Sequence, residues 1–165
     1  MAVNAFLSFF DKANGESVLK GKERWVELQG WDWQIEAVSS WTRGGTARVG
    51  KPAPSALRWQ HRFDTSSPTI MGSLCNGTAF PKVEIQVLKA GAGAAMRPFL
   101  TMVMEGAYIT KVATSCDDEG NVTQLVEMVF KTIKIDYAQQ DDKGGLRPAA
   151  TFNWDIPAGT ASPSA

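Results

Sequence analysis

The stretch DTSSPTIMGSLCNGTAFPKVEIQVLK, residues 64–89, decides the fold, because one short helix and one strand meet within it. Ser67 is a suitable N-cap, Pro68 suits the first helical position, and Gly77 suits the left-handed residue just past a helix end. The spacing predicts a helix over about Ser67–Asn76, with Ile70, Met71, Leu74 and Cys75 on its apolar face. From Lys82 the period changes to two. Val83, Ile85 and Val87 face one way and Glu84 and Gln86 the other, as in a half-buried strand.

Outward from this unit the chain reads as strands. Before it come Val3 to Phe10, a polar turn from Asp11 to Gly21, Trp25 to Gln29, and an alternating run with Trp31, Trp33, Ile35 and Ala37 on one face. Trp41 to Pro54 breaks all periodicity with Gly44, Gly45, Gly50, Pro52 and Pro54 among Arg43, Arg48 and Lys51, which predicts a long basic loop. Ala56 to Phe63 places Leu57, Trp59, His61 and Phe63 on one side. After the unit come a glycine turn at 91–94, a strand Phe99 to Glu105 that is apolar on both faces, and Tyr108 to Thr114. The acidic turn Cys116 to Asn121 leads into a long strand, Val122 to Tyr137. Its apolar phase jumps near Lys131 and so predicts a bulge or sharp bend. Thr151 to Ile156 is the last strand expected, and 157–165 reads as a flexible tail after one domain over 1–156. About nine strands and one flanking helix indicate a mainly β fold, a barrel or tight sandwich.

Composition excludes several classes. Seventeen basic and seventeen acidic residues leave no net charge, so the field that holds nucleic acid or anionic membranes is missing. Cys75 and Cys116 have no metal-ligand spacing and read as reduced thiols. The apolar run Val3 to Phe10 follows no basic region and stops at Asp11, so neither a secretory signal nor a membrane span is expected, and synthesis as a cytosolic protein is.

No catalytic, cofactor or metal site is expected. Gly45 to Pro52 has the glycine and lysine spacing of a phosphate loop but puts Pro52 where Ser or Thr should meet magnesium, and a helix after it is blocked by Pro54. Gly91-Ala92-Gly93 lacks the third glycine of a dinucleotide fingerprint. His61 is the sole histidine, and its phase with Leu57, Trp59 and Phe63 reads as a satisfied core or interface residue rather than a base.

Gly15-Glu16-Ser17, Trp31-Asp32-Trp33, Asp64-x-x-Ser67-Pro68, Asn76-Gly77-x-x-Phe80-Pro81, Ile109 to Val112, and Phe130-x-x-Ile133-x-x-Asp136-Tyr137-x-x-Gln140-Asp141 together resemble the haemolysin-coregulated proteins, the inner-tube subunits of type VI secretion systems. The resemblance spans about Val3 to Ile156. It implies a tight antiparallel β-barrel with one flanking helix, a hexameric ring stacking into a tube, and no enzymatic activity. It also implies a contractile sheath, a spike and effectors as partners, with export through the apparatus. The basic loop matches the family's extended loop, so Arg43, Arg48 and Lys51 are expected to meet acidic surface on a neighbouring subunit or ring. Asp32 aligns with a lumen-facing position that is small and uncharged in relatives that bind effectors, which here would favour basic cargo. Two other readings stay open from the residues alone. One is a monomeric barrel for a small ligand, its cavity lined by Phe99 to Glu105; the other is a hydrolase using His61.

Overall fold

The computed structural model describes residues 4–41, 45, 47–90, 96–143 and 145–163. Thirteen strands and one helix follow in order. They are β1 (Ala5–Ser8), β2 (Val26–Asp32), β3 (Ile35–Glu36), β4 (Ser39–Trp41), β5 (Ala47–Val49), β6 (Ala53–Pro54), β7 (Leu57–Arg62), α1 (Ser67–Asn76), β8 (Phe80–Ala90), β9 (Met96–Cys116), β10 (Val122–Val129), β11 (Thr132–Gln140), β12 (Leu146–Asp155) and β13 (Thr160–Ser162).

Nine of the strands form one antiparallel sheet in the order β10-β7-β2-β1-β8-β9-β11-β12-β13, and β10 also pairs with β9. That last pairing closes β10, β7, β2, β1, β8 and β9 into a ring. The expected barrel is therefore present, with β11, β12 and β13 continuing as a side sheet from the first half of β9. A closed ring leaves none of its strands with a wholly unpaired edge. Its interior is filled by Leu7, Leu28, Leu57, Trp59, Val126 and Met128 with Val83, Ile85, Met102 and Met104, all buried. Among the described residues this interior is a packed core, so the cavity that a ligand barrel would need is taken up by side chains.

β9 is one strand where the sequence predicts two. It turns at Gly106, whose φ of 62° is left-handed. Before the turn it lies between β8 and β11, the central position expected for 99–105; after it, residues 108–116 pair with β10. The expected break near Lys131 stands directly opposite. β10 stops at Val129, β11 starts at Thr132, and Lys131 N donates to Glu105 O at 2.9 Å. A Cβ at Gly106 would stand 3.1 Å from Lys131 Cβ, so bend and break fit each other.

The helix has the expected bounds, with two corrections at its start and on its face. Ser66, not Ser67, is the N-cap residue, and it makes no side-chain cap; Ser67 is turned inward and buried. Gly77 ends the helix as expected, left-handed at φ 62°, with its N–H on Leu74 O and the next N–H on Ser73 O. Only Ile70 is buried and Leu74 packs on the core, whereas Met71 and Cys75 are exposed. A ten-residue helix lying on one side of a barrel buries a narrower stripe than its composition suggests.

Further differences concern phase and length. β2 takes in both the strand expected at 25–29 and the start of the run at Trp31, because its register against β7 shifts between Leu28 and Gly30 and brings Trp31 into phase with Leu28. Ile35, Ala37 and Phe63, expected inside, are exposed. The tail expected to be flexible carries β13, paired with the end of β12. The turn expected at 91–94 lies outside the described residues.

Gly15 marks a close approach. A Cβ there would fall 2.5 Å from Trp25 O, on backbone that cannot move aside, where Gly15 N donates to Arg24 O and Ser17 N to Trp25 O. Gly15→Ala is expected to lower stability by more than about 2 kcal/mol, against about 1–2 kcal/mol for Gly106→Ala, whose cost is mainly the left-handed backbone. Urea unfolding of both variants beside the wild type checks the order.

Candidate functional site

His61 is not available as a base. It lies on the inward face of β7, fully buried, and both ring nitrogens are occupied. Trp59 Nε1 donates to Nδ1 at 3.1 Å, and an indole nitrogen can only donate, so Nδ1 is the acceptor and Nε2 carries the proton. Nε2 then donates to Ser67 Oγ at 3.2 Å, and the same oxygen accepts from Asp64 N at 3.1 Å. The imidazole locks the lead-in of α1 to the barrel, which is the core role its phase predicts. The hydrolase reading has no accessible base.

The same lead-in anchors the N-terminal loop. Glu16 Oε1 accepts from Thr65 N at 3.1 Å, Thr65 Oγ1 donates to Asn14 O at 2.8 Å, and Asp64 Oδ1 accepts from Ser66 N and Ser66 Oγ. The Gly15-Glu16-Ser17 and Asp64 motifs thus meet each other in space.

Of the candidate site residues, Asp32, Arg48 and Lys51 are exposed. Asp32 ends β2 opposite Arg58 of β7, whose Nε and a terminal nitrogen donate to its two carboxylate oxygens at 2.9 and 3.3 Å. This two-pronged pair, aided by the Asp32 charge, raises the Arg58 pKa above its already high ordinary value. It sits in a shallow depression of about 300 Å³ on the barrel wall, lined also by Gln29, Trp31 and Gln60. The position expected to attract basic cargo therefore already has its charge met from within the chain. Arg58 also alternates along β7, but pairing across two strands far apart in sequence gives no local signal.

The stretch expected to be a plain loop is built as an arm. β3 pairs with β6 and β4 with β5, both antiparallel, and Gly50 N donates to Val38 O at 2.7 Å and Ser55 N to Gln34 O at 2.8 Å. The arm leaves the barrel after Asp32 and returns at Leu57. Its foot is pinned by Trp33, whose Nε1 donates to Ser55 O and whose ring packs near Phe130 and Trp154. Beyond the foot little is buried: Val38 is 84% exposed and Val49 70%. Arg48 and Lys51 are exposed on the returning limb and make no ion pair among the described residues. Arg43 lies outside the described residues. Glycines and prolines hide such a hairpin from periodicity, because ladders of two or three residues are too short to alternate.

At the β9–β10 turn, Asp117 accepts from Glu119 N, Asn121 N and Asn121 Nδ2. Those bonds, the Asn121 side chain's first, hold its carboxyl below the usual range. No group of acidic, histidine or cysteine residues suited to a metal occurs among the described residues, and none of their helices is long and apolar enough to cross a membrane.

The chain matches known proteins in sequence and in fold. The model of the family described as "Type VI secretion system effector, Hcp" matches residues 6–137. The chain belongs to the Hcp family. It is 26% identical over 158 residues to "Protein hcp1" of Pseudomonas aeruginosa, covering 94% of this chain and 96% of that one. It is also 27% identical over 140 residues to the "Major exported protein" of the same organism, covering 81% and 79%. A solved "type six secretion system protein" superposes with a TM-score of 0.88 at 19% identity, covering 98% of this chain and all of that one, a likeness of fold. Hcp membership makes this a secreted type VI tube or effector protein, self-assembling and structural rather than enzymatic.

His61 yields a direct check. Burial lowers its pKa below the ordinary 6.5, with Asp64 pulling weakly the other way. The fold therefore favours the neutral ring, and this contribution is complete above pH 6.5 and is lost as pH falls through the folded pKa. With one imidazole in the chain, its C–H resonances in an NMR titration are expected to move only below pH 6.5, while the urea midpoint drops over the same range. A titration at or above 6.5 contradicts the lock.

Proposed function

We propose that this Hcp chain is the ring-forming subunit of a type VI inner tube. Six copies close head to tail, rings stack, and sheath contraction expels the tube with its spike and with effectors held in the lumen. Residues 1–156 act as one ring-forming domain, made in the cytoplasm and exported through the apparatus.

The observation that carries this reading is the arm. In an isolated subunit Val38 and Val49 stand in water on the hairpin, an arrangement that burial against another copy would stabilise by about 25 cal/mol per Å² of apolar surface. A head-to-tail contact uses two different faces, so a subunit can carry it without symmetry of its own. Arg43, Arg48 and Lys51 are assigned to that contact. Asp32, paired with Arg58, is assigned to the lumen wall, where the pair presents hydrogen-bonding groups of both signs rather than a bare negative charge.

Light scattering of the purified protein, with negative-stain images of the same fraction, is expected to give a mass near six subunits and ring-shaped particles. A strict monomer at every concentration refutes the ring. Deleting Gly44 to Lys51 is expected to leave far-UV dichroism and the unfolding midpoint of the barrel nearly unchanged while weakening ring stacking; unchanged stacking refutes the role of the arm.

A further inference from the structure

Opposite His61 the barrel holds another fully buried polar side chain. Gln124 of β10 pairs with His61 of β7 in the antiparallel register, as Val126 pairs with Trp59, and all of these side chains are buried on the inward face of the two strands. Residues directly opposite in such a ladder have Cβ atoms about 5 Å apart, which brings an imidazole and a flexible amide within reach of each other. On its other side His61 pairs with Leu28 of β2, which is apolar. Neither Oε1 nor Nε2 of Gln124 has a hydrogen-bond partner among the described residues. Burying an amide in that way costs stability, and a methionine of the same length would fill the place without the cost.

The neutral ring has no use for this amide, because Nδ1 accepts from Trp59 Nε1 and Nε2 donates to Ser67 Oγ. Protonation changes one of those bonds and spares the other. An imidazolium donates from both nitrogens, so the Ser67 contact survives, whereas Nδ1–H then faces Trp59 Nε1–H, donor against donor. The new donor needs an acceptor inside the barrel. Ser67 Oγ is already engaged by Nε2 and Asp64 N, and Asp64, the carboxylate nearest the ring on the lead-in of α1, serves Ser66 N and Ser66 Oγ. Other charged groups of the surrounding elements stand outside: Glu27 on β2, Arg62 on β7, Lys111 on β9 and Glu16 on the N-terminal loop are exposed, Glu127 of β10 alternates away from the inward face, and α1 carries no charge. Gln124 Oε1 is the buried side-chain acceptor on β7 and β10 that has nothing bound to it among the described residues.

We propose that Gln124 is the acceptor held for the protonated form of His61: when Nδ1 takes a proton from solvent it gives up the bond from Trp59 and donates instead to Gln124 Oε1, so the barrel carries one buried positive charge without releasing the lead-in of α1. The pair is a two-state device. In the neutral state Trp59 and Ser67 hold the ring, and in the protonated state Gln124 and Ser67 do. The tie from Ser67 Oγ to Asp64 N is common to both states. Gln124 thereby sets how far acid weakens the fold, and it does so within one subunit, independently of the tube reading.

The test compares the wild type with Q124M, which keeps the length of the side chain and removes its acceptor, and with Q124E, which places an anion there. The C–H resonances of His61, the sole histidine of the chain, are followed against pH, and urea unfolding is measured at one protein concentration at both ends of the titration. Q124M is expected to bind the His61 proton about tenfold more weakly or less still, moving the titration down by about one pH unit or more, and Q124E to bind it at least about tenfold more tightly. On the alkaline side Q124M is expected to be more stable than the wild type, having lost an unpaired amide, and that advantage in the folding equilibrium is expected to shrink about tenfold on the acid side. A Q124M titration that stays at the wild-type midpoint, or a stability difference equal at both ends, overturns the proposal. Should Q124M not fold, the Q124E titration decides: a rise supports the pair, and an unmoved midpoint overturns it.

Discussion

At Gly106 the longest strand of the molecule passes out of one sheet and into the wall of the barrel, and the closure of the ring depends on that turn. β9 keeps β11 as its neighbour up to Glu105 and takes β10 from Tyr108 onward. β10 and β11 are nearly one strand, interrupted at Phe130 and Lys131, so a single long hairpin bends as a unit. Lys131 holds the corner, its N–H on Glu105 O and its carbonyl accepting from Ile156 N at 3.1 Å. Beyond the corner, one half of the hairpin meets β7 and closes the barrel, while the other meets β12 and spreads into the side sheet. A glycine is favoured there because the residue is left-handed and its missing Cβ would stand 3.1 Å from Lys131 Cβ.

Closure by hydrogen bonding, with the interior filled by side chains, leaves function to the outside. That division suits a structural subunit. A binding barrel must keep its middle open, and an enzyme must leave polar groups unspent, whereas here His61, Ser67, Asp64 and Glu16 are spent on tying the helix and the N-terminal loop to the wall. The arm is built from ladders too short to be stable by themselves, so its shape depends on the pinned foot at Trp33 as much as on its own bonds.

The family motifs make local structural sense in this light. Gly15 permits the approach to β2, Glu16 and Asp64 serve the backbone of the helix lead-in, Gly77 caps the helix, and Phe80 packs against Phe9 with ring centres 4.4 Å apart. Each of these residues answers to a neighbour fixed by the barrel, which is why weak pieces in a set order carry a fold.

Much of this was determined by the sequence alone. Period-two runs at 57–62 and 82–86, the helix over Ser67–Asn76 ended by Gly77, the inward phase of His61 and the disturbance near Lys131 are local properties of a chain that must hide one face, and all are legible residue by residue. The site was less legible: Arg48 and Lys51 were visible as a basic patch, but the hairpin that displays them, and the Arg58 partner that meets the charge of Asp32, were not. Tertiary structure alone decided which strand bends and which breaks, why Met71, Ile35 and Phe63 face water, and that the arm leaves the wall between β2 and β7. The reason is physical: periodicity records that a residue has a buried side, whereas register, closure and the meeting of charges across strands arise from contacts between residues far apart in the chain.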